Sequence, residues 1–517
     1  MPSSVASLFL LNPDQCQRAA RTHDPRFDGI FFIGIITTRI YCRPICPARV
    51  SVSSHRRFFV SAAAAERAGY RPCLRCRPEL APGRAPVDAV SRLAFAAAVR
   101  IGAGALNGRS VADLARELNV SERHLRRALE REVGVAPIEL AQTHRLLLAK
   151  RLLADTALSV THIAFASGFQ SLRRFNTVFR ERYRLSPSGL RRTAQGRRSR
   201  ASAASTNSIA ANDPMAATDP VKDLVRLTLA YRAPLAWDVL LQCLGRDAIS
   251  GVEHVQGARY GRTVRIDGRS GVVFASDAAP SSHAALGTHL HVEVSLSLLP
   301  ALMPLLARLR QLFDLDAEPA VIDAHLEQGG LTSLVARRHG IRIPGALDSF
   351  DIVLGALIRG GRSPGIAARD PTRGVVQALG EPIDTGIPAL DRLAPSAERI
   401  AEAGAARLEA LGVARGRALA LAAAARAIAD GHLVLEPGSD VVAAHRALLA
   451  IDGVSDRLAT QIVMRTLYWP DAFPISDRTL QRAAGVSGPG TLRVLAERWQ
   501  PWRAYAALHL WLQETER

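Results

Sequence analysis

Two closely spaced pairs of cysteines constrain the fold of the first 82 residues more than any other feature of this sequence. Cys42 and Cys46 are separated by three residues, Cys73 and Cys76 by two, and 26 residues lie between the pairs. Four thiolates at such spacing suit tetrahedral Zn²⁺, whereas six cysteines in 517 residues are too few for a disulfide scaffold. The pattern therefore predicts a small zinc domain over residues 1–82. On spacing alone, a zinc knuckle that only stabilises the fold is favoured over a reactive centre.

The residues around these cysteines give the metal site a more specific interpretation. The sequences FDG at 27–29, TTRIYCRPICPAR at 37–49 and AGYRPCLRCRP at 68–78 closely resemble the N-terminal domain of the Ada family. That family repairs methyl phosphotriesters in DNA by moving the methyl group irreversibly onto a zinc-bound cysteine. The resemblance implies that zinc is the cofactor and Cys42 the methyl acceptor. It implies that the remaining zinc ligands are Cys46, Cys73 and Cys76.

The same resemblance implies a phosphotriester-binding surface beside the zinc. Thr38, Arg49 and Arg71 match positions that lie near the phosphotriester in the family. Arg39 stands where the family usually has glycine. We expect its side chain either to crowd the approach of DNA or to contact a phosphate.

Positive charge is concentrated in the first two-fifths of the chain. The net charge of +19 divides into +8 over residues 1–99, +12 over 100–200 and −1 over 201–517. A basic block of this size is typical of a protein that binds a polyanion, most simply nucleic acid. Solvated helix faces unconnected with DNA are the alternative explanation.

Residues 83–192 are predicted to form helices joined by short turns. Serines that can act as N-caps open helices at 121–132 and 171–183, and both helices are rich in arginine. The sequence SGFQS at 167–171 and the aromatic residues after it resemble the AraC-type DNA-binding domain, which carries two helix-turn-helix units. The resemblance implies that the two helices read successive major-groove faces of double-stranded DNA. The candidate DNA contacts are Arg123, Arg126, Arg127, Arg173 and Arg174.

The remaining sequence predicts a linker, a region with strands and a long helical region. Residues 193–220 are rich in Ala, Ser, Asn and Pro, which predicts a flexible linker. Strand-like segments occupy residues 221–300, and residues 301–517 read as helices punctuated by Gly and Pro. The predicted fold class is thus multidomain and mainly α with α+β parts, including the small zinc domain and an all-α double helix-turn-helix domain.

Three features of the C-terminal half carry chemical information. The sequence LAIDGVSDRLA at 449–459 predicts a Gly-containing turn between helices, whose backbone N–H groups can bind a DNA phosphate. Asp477 follows in DAFPISDR at 471–478, and Trp511 belongs to an aromatic-rich terminal segment. Taken separately, a common helical turn, a helix N-cap and core tryptophans are the better explanations of these features.

Taken together with further strings, these features resemble a known enzyme family. With YGRT at 260–263, LFDLD at 312–316 and WQPWRAYA at 499–506, they resemble the AlkA type of 3-methyladenine DNA glycosylase, in the helix-hairpin-helix superfamily. The resemblance implies an α+β (TBP-like) subdomain at 221–300 and a helix-hairpin-helix glycosylase domain at 301–517. It implies that Asp477 is the catalytic carboxylate and that Trp511 lines the pocket for a flipped-out base. Gly453 and Ser455 are the candidate contacts to the DNA backbone.

The glycosylase resemblance has departures and one exclusion. Ser455 replaces a glycine, so we expect a backbone conformation that requires glycine to be lost there. Arg457 replaces an aromatic residue. In IRGGRSP at 358–364, Gly361 cannot fill the space that a flipped-out base leaves, and the proline is expected to disturb the helix. Since no lysine lies beyond Lys222, a lyase reaction through a Schiff base is excluded.

These features predict a bifunctional protein of the alkylation-damage response. A transcriptional regulator, activated by methylation of Cys42 and contacting promoter DNA and RNA polymerase, is joined to a monofunctional glycosylase that excises bases such as 3-methyladenine. The alternative is a regulator whose glycosylase half is catalytically degenerate and only binds DNA. No apolar run reaches the roughly 18 residues that a membrane-spanning helix needs, and we expect a cytoplasmic protein without membrane contacts.

Overall fold

The chain folds into several packed regions that are mainly helical and contain three sheets within the described residues. This architecture comes from a computed structural model. The structure describes residues 12–48, 53–83, 92–203, 224–277, 288–360 and 371–515. No helix among these residues is both long enough and apolar enough to cross a bilayer.

Residues 12–83 form a four-stranded sheet with two short helices. Its elements are α1 (Pro13–Thr22), β1 (Phe32–Ile35), β2 (Ile40–Cys42), β3 (Arg56–Phe59), α2 (Ala62–Arg67) and β4 (Arg71–Pro72). The strand order is β3-β1-β2-β4, with β2 and β4 parallel and the other pairs antiparallel. Ile33 packs with residues of α1, while its neighbour Phe32 packs with Tyr41 and Phe59. Because successive side chains of a strand point to opposite faces, β1 contributes to both of these small cores.

Residues 92–203 are entirely helical apart from turns. The helices are α3 (Arg92–Gly102), α4 (Val111–Glu117), α5 (Glu122–Glu132), α6 (Pro137–Asp155), α7 (Val160–Ala166), α8 (Leu172–Tyr183) and α9 (Pro187–Ala203). Serine side chains accept hydrogen bonds from first-turn amides at the starts of four helices, α4, α5, α7 and α8. The two arginine-rich helices predicted from the sequence are therefore confirmed as α5 and α8, and the long helix α6 joins the two helix pairs. Helix α9 continues into the segment predicted as a linker, and residues 204–223 lie outside the described part of the chain.

The next region is built on a five-stranded antiparallel sheet. It comprises β5 (Leu224–Ala230), α10 (Trp237–Asp247), β6 (Glu253–Gln256), β7 (Arg259–Ile266), β8 (Arg269–Asp277), β9 (His289–Ser295) and α11 (Leu302–Leu312). The strand order is β5-β9-β8-β7-β6. Phe175 and Phe179 of α8 belong to the same buried cluster as Leu227 and Leu229 of β5. The second helix-turn-helix unit and the sheet therefore share one hydrophobic core.

The last region is helical and has two cores. Its elements are α12 (Pro319–Leu326), α13 (Thr332–Arg337), α14 (Ser349–Arg359), α15 (Pro371–Leu379), β10 (Glu381–Pro382), β11 (Arg392–Leu393), α16 (Ala397–Ala410), α17 (Arg415–Ala429), α18 (Val441–Leu449), α19 (Asp456–Thr466), α20 (Arg478–Ala483), α21 (Pro489–Ala496) and α22 (Arg503–Thr515). Helices α14 to α19 enclose one core, and α12, α13 and α20 to α22 enclose the other. Trp499 and Trp502 are buried in the second core, so the simpler explanation of these two tryptophans is correct.

Buried polar contacts join the first region to both of its neighbours. The Lys150 ammonium pairs with the Glu79 carboxylate, and both side chains are almost completely buried. Arg232 donates from Nη2 to the backbone carbonyl of Asp28 at 3.1 Å. A buried charge or carbonyl loses stabilisation when its partner is removed. These contacts therefore favour one fixed arrangement of the first region, the helical region and the region with the five-stranded sheet.

Candidate functional site

The four predicted metal ligands converge at one end of the first sheet. Parallel pairing of β2 with β4 places Cys42 beside Cys73, and the Cys73 amide donates to the Tyr41 carbonyl at 2.9 Å. The Sγ atoms of Cys42, Cys46, Cys73 and Cys76 all lie within 4.8 Å of one another. Sulfurs bound tetrahedrally at about 2.3 Å from zinc would be roughly 3.8 Å apart. The donor set and its spacing therefore fit Zn²⁺.

Backbone amides support the sulfur cluster. The amide of Arg43 lies 3.4 Å from the Cys76 Sγ, and that of Arg75 lies 3.3 Å from the Cys73 Sγ. Both contacts favour the thiolate form. A hydrogen bond with Cys46 is the main cause that raises the pKa of Cys42, while one with Cys42 lowers the pKa of Cys73. The shared hydrogen bonds thus favour the thiolate of Cys73 and disfavour that of Cys42, whereas a divalent cation bound to all four sulfurs would favour the thiolate form of each.

Sequence analysis assigned no role to the Arg43 side chain, which holds the metal loop in place. Its guanidinium forms a buried pair with Asp28, with Nε 2.8 Å from Oδ1, and donates from Nη1 to the Cys76 carbonyl at 3.1 Å. Arg43 therefore ties the loop between the first two cysteines to the last one. The feature of the sequence that could have indicated this role is the position of Arg43 directly after Cys42.

Accessibility distinguishes Cys42 from the other three cysteines. Cys46, Cys73 and Cys76 are at most 8% exposed, whereas Cys42 is only partly buried. Among the predicted phosphotriester contacts, Thr38 is exposed in the turn between β1 and β2, and Arg71 is half-buried in β4. Arg49 lies outside the described residues. Cys42 is thus the sulfur that a large substrate such as DNA can reach.

Arg39 occupies a position where the backbone favours glycine. Its φ of 53° lies in the left-handed region, which L-residues with a Cβ disfavour. Its guanidinium lies 5.4 Å from the centre of the Tyr70 ring. The side chain therefore lies against that ring, and the expectation that it crowds the approach of DNA or contacts a phosphate stays a prediction.

The predicted DNA-reading arginines lie on exposed faces of α5 and α8. Arg123, Arg126, Arg127, Arg173 and Arg174 are all exposed. Arg126 pairs with Glu122 one helical turn earlier at 2.7 Å. Such exposed pairs contribute at most about 0.5 kcal/mol, so this one does not prevent Arg126 from contacting DNA.

The turn between α18 and α19 contains two residues with different backbone requirements. Gly453 has a left-handed φ of 88°, which explains the requirement for glycine there. Ser455 instead has an extended conformation with a φ of −79°, and its hydroxyl accepts from the Leu458 amide as the N-cap of α19. As expected, Ser455 does not adopt a conformation that requires glycine. The serine also adds a capping hydrogen bond.

The helix that precedes the predicted base pocket ends near the start of the segment 358–364, where the sequence departs from the glycosylase family. Helix α14 stops at Arg359, and Gly360 follows as a left-handed C-cap with a φ of 63°. Gly361 and Pro364 lie outside the described residues, so the predicted lack of a wedge falls on a segment that the structure does not describe.

Asp477 and Trp511 line one cavity of about 370 Å³ in the glycosylase-like half. Asp477 is only 3% exposed, and its Oδ1 accepts from the amides of Thr479 at 2.7 Å and Leu480 at 3.3 Å. It is therefore the N-cap of α20, as its simpler explanation proposed. The cap fixes the carboxylate while Oδ2 remains directed toward Arg457, whose Nη1 is 3.5 Å away. The Asp477 side chain thus caps α20 with one oxygen and contacts Arg457, another cavity residue, with the other.

The cavity wall is dense in ion pairs that sequence reasoning missed. The acidic side chains in its lining are Asp247, Glu253, Asp348, Asp351, Asp477 and Glu514. Burial raises the pKa of Asp351 to about 7, although Arg262 lies 2.6 Å away and opposes that rise. These groups are far apart in the sequence and belong to different helices and loops, so no local motif reports their meeting.

Comparisons with known proteins agree with these sites. Family models match the metal binding domain of Ada at residues 15–79, a helix-turn-helix domain at 114–193 and the AlkA N-terminal domain at 226–348. The E. coli DNA-3-methyladenine glycosylase 2 is 33% identical over 293 residues, covering 56% of this chain and 97% of its own. The E. coli bifunctional transcriptional activator/DNA repair enzyme Ada is 32% identical over 161 residues, covering 31% of this chain and 43% of its own.

One relative spans nearly the whole sequence. The probable bifunctional transcriptional activator/DNA repair enzyme AlkA of Mycobacterium tuberculosis is 35% identical over 503 residues and covers 96% of both chains. The match includes the zinc, helix-turn-helix and glycosylase-like regions in the same order. The chain therefore belongs to the family of bifunctional transcriptional activators and DNA repair enzymes of the AlkA type.

Proposed function

We propose that this protein senses DNA alkylation at Cys42, activates transcription from promoter DNA and excises alkylated bases through its C-terminal half. The observation that carries the proposal is the cluster of four sulfurs in which Cys42 alone is accessible, in a chain that also contains a glycosylase-like cavity. RNA polymerase is the expected partner of the DNA-bound activator. The zinc, helix-turn-helix and glycosylase-like parts contact one another, so one protein molecule brings all three to damaged DNA.

Cys42 acts as a single-turnover methyl acceptor. Cys42, Cys46, Cys73 and Cys76 would hold Zn²⁺, which would keep their sulfurs deprotonated at neutral pH. The Cys42 sulfur attacks the methyl carbon of a phosphotriester, the carbon–oxygen bond breaks, and its electron pair leaves with the phosphodiester anion. The new thioether is neutral, so one formal negative charge is lost from the centre. Repulsion between this surface and the DNA backbone falls, and methylation becomes tighter DNA binding.

The helical region supplies sequence recognition. Helices α5 and α8 each begin at a serine cap after a short turn and present exposed arginines, as major-groove readers do. Arg123, Arg126 and Arg127 belong to the first unit. Arg173 and Arg174 belong to the second.

The C-terminal half acts as a monofunctional glycosylase. The turn at Gly453 and the N-terminus of α19 hold a DNA phosphate, while the damaged nucleotide rotates into the cavity beside Trp511. Asp477 stabilises positive charge on the sugar as the N-glycosidic bond breaks, and its electron pair leaves with the base. Water then adds to the sugar carbon and gives its proton to the carboxylate. The product is an abasic site.

A second candidate function has a specific observation in its favour. The Arg457 guanidinium is next to the carboxylate that should stabilise a cationic sugar. A protein that uses this half only to bind DNA, and whose regulator half does the sensing, is consistent with that contact.

Release of free base from DNA that contains 3-methyladenine separates the two candidates. We expect release by the natural protein and a rate about 10²- to 10³-fold lower for Asp477→Asn. Asparagine is as good an N-cap as aspartate, so the variant keeps the start of α20 and tests the charge alone. No release by the natural protein would establish the DNA-binding alternative. Equal release by both proteins would show that the half is a glycosylase in which Asp477 is not catalytic.

A further inference from the structure

The glycosylase cavity neutralises its own carboxylates. Five of its six acidic side chains have an arginine nitrogen within 4.0 Å, and the sixth, Asp348, accepts from the Phe350 amide as the cap of α14. The closest contacts in these pairs run from 2.6 Å for Arg262 with Asp351 to 3.6 Å for Arg482 with Glu514. A positively charged base that enters the cavity therefore meets paired carboxylates rather than free ones.

Aromatic surface, the other feature that attracts a cationic base, is sparse. Trp511 is the sole aromatic residue among the described residues that line the cavity. Cation–π attraction contributes about 0.5–2 kcal/mol per ring, so one ring offers little against the repulsion of a nearby guanidinium. This wall therefore stabilises a cationic ligand less than free carboxylates and several aromatic rings would.

Arg457 is placed to act on the reaction itself. Its side chain is 30% exposed, its Nη1 lies 3.5 Å from the Asp477 Oδ2, and its Nη2 donates to the Gly360 carbonyl at 3.4 Å. A guanidinium has five N–H donors and remains charged at every physiological pH. It can thus contact Asp477 and an acceptor atom of a bound base at the same time.

We propose that Arg457 determines the substrate specificity of this pocket and shifts it toward uncharged damaged bases, relative to positively charged ones such as 3-methyladenine in DNA. The inference rests on the proposed glycosylase activity. An uncharged base leaves with the electron pair of the N-glycosidic bond and becomes an anion. The Arg457 guanidinium stabilises that anion by a charge-assisted hydrogen bond. Water adds to the sugar carbon and loses its proton to Asp477, from which the departed base receives it.

A cationic base needs no such help, because it already leaves as a neutral molecule. For that substrate, Arg457 only weakens the attraction of Asp477 for the positive charge on the sugar. The same side chain therefore has opposite effects on the two substrate classes. A residue that only positions DNA would change the excision of both substrate classes in the same direction, so opposite effects identify a specificity residue.

Single-turnover excision of two purines in the same duplex tests the proposal. The probes are hypoxanthine, which is uncharged, and 7-methylguanine, which is cationic. We expect Arg457→Gln to slow release of hypoxanthine and to speed release of 7-methylguanine, so that the ratio of the two rates changes by about tenfold or more. Arg457→Lys keeps the charge and should retain most of the natural ratio. Arg493→Gln removes an exposed arginine from α21 and should leave the ratio unchanged.

Binding provides a readout that does not depend on turnover. Duplexes with a protonated pyrrolidine or an uncharged tetrahydrofuran in place of the sugar differ by one positive charge at the position beside Asp477. Arg457→Gln should increase the preference for pyrrolidine by about tenfold. If both excision rates change in parallel and this preference is constant, Arg457 is not the specificity residue. If the natural protein releases neither base, the glycosylase function itself fails and this inference fails with it.

Discussion

The zinc centre and the glycosylase cavity differ in the surroundings of their reactive groups. The cysteine of the first is accessible, and the carboxylate of the second is buried beside a cation. At the zinc centre, the ligands come from one stretch of 35 residues, and the proposed nucleophile, Cys42, is the accessible member of a buried set. In the cavity, the lining extends from Cys243 to Glu514, and the carboxylate of Asp477 already has a cation beside it. The first site is arranged to react with any methyl phosphotriester that reaches it. The second is arranged to discriminate among substrates.

This difference has a physical origin in the charge that each reaction develops. Methyl transfer removes negative charge from an electron-rich sulfur, so a concentration of thiolates promotes it. Base excision develops positive charge on the sugar and, for uncharged bases, negative charge on the base. A site that holds a carboxylate and a guanidinium can stabilise the positive charge on the sugar and the negative charge on the base at the same time.

Removal of a zinc ligand is expected to have the largest effect and to separate the two sites. Cys73→Ala should lose bound zinc, whose contribution to folding in small zinc domains is about 10–16 kcal/mol. All five tryptophans lie at or beyond residue 237, so tryptophan fluorescence reports unfolding of the glycosylase-like half alone. We expect that transition to persist, but at a lower urea concentration, because the buried contacts of the zinc domain with its neighbours are lost.

The matched control is Cys16→Ala, which removes a buried thiol of α1 that is outside the sulfur cluster. It should keep one zinc per chain by metal analysis. If Cys73→Ala also abolished the tryptophan transition, the two sites would not be independent and the comparison would fail.

The two sites should respond to pH with opposite signs. Burial raises the pKa of Asp351 from 3.8 to about 7, so the folded state binds this proton more tightly than the unfolded state. Its contribution to stability is complete below about pH 4 and is lost as pH rises to about 7, at most roughly 4 kcal/mol. Zinc binding strengthens over the same interval because thiols lose protons.

Tryptophan fluorescence during urea unfolding measures the first effect, and competition with a chelator measures the second. Asp351→Asn should flatten the pH dependence of the tryptophan transition and leave zinc affinity unchanged. An unaltered pH dependence in this variant would show that other groups control it.

The smallest expected effect concerns the turn between α18 and α19. Gly453→Ala forces a residue with a Cβ into a φ of 88°, although its nearest neighbours would be at an ordinary 3.5 Å. The variant should therefore lose about 1 kcal/mol of unfolding free energy from backbone strain alone, and bind a duplex with an abasic site more weakly. Gly490→Ala in α21, where an added Cβ meets open space, should show neither change in urea unfolding or fluorescence anisotropy.

Local sequence was sufficient to predict the zinc site and the starts of the two arginine-rich helices. Cys42 and Cys73 meet because adjacent short strands pair, and Ser121 and Ser171 cap the helices that follow them. These features depend on residues close together in the chain, and their patterns are specific.

The glycosylase cavity was predictable only in part. Asp477 and Trp511 were identified from motifs and do line one cavity. The pairing of Arg457 with Asp477, and the role of Arg43 beside the cysteines, depend on side-chain directions that spacing does not encode. The sequence also did not indicate that Ser455 would cap α19, because its replacement of a glycine was considered only for its effect on the backbone.

The most direct test of the account is to find where a methyl group goes. The purified zinc protein is incubated with duplex DNA that carries a single methyl phosphotriester, and its peptides are analysed by mass spectrometry. The account predicts one added methyl group per chain, located on Cys42, with no further uptake from excess DNA. A methyl group on Cys46, Cys73 or Cys76, or no transfer to the zinc-loaded protein, would contradict it.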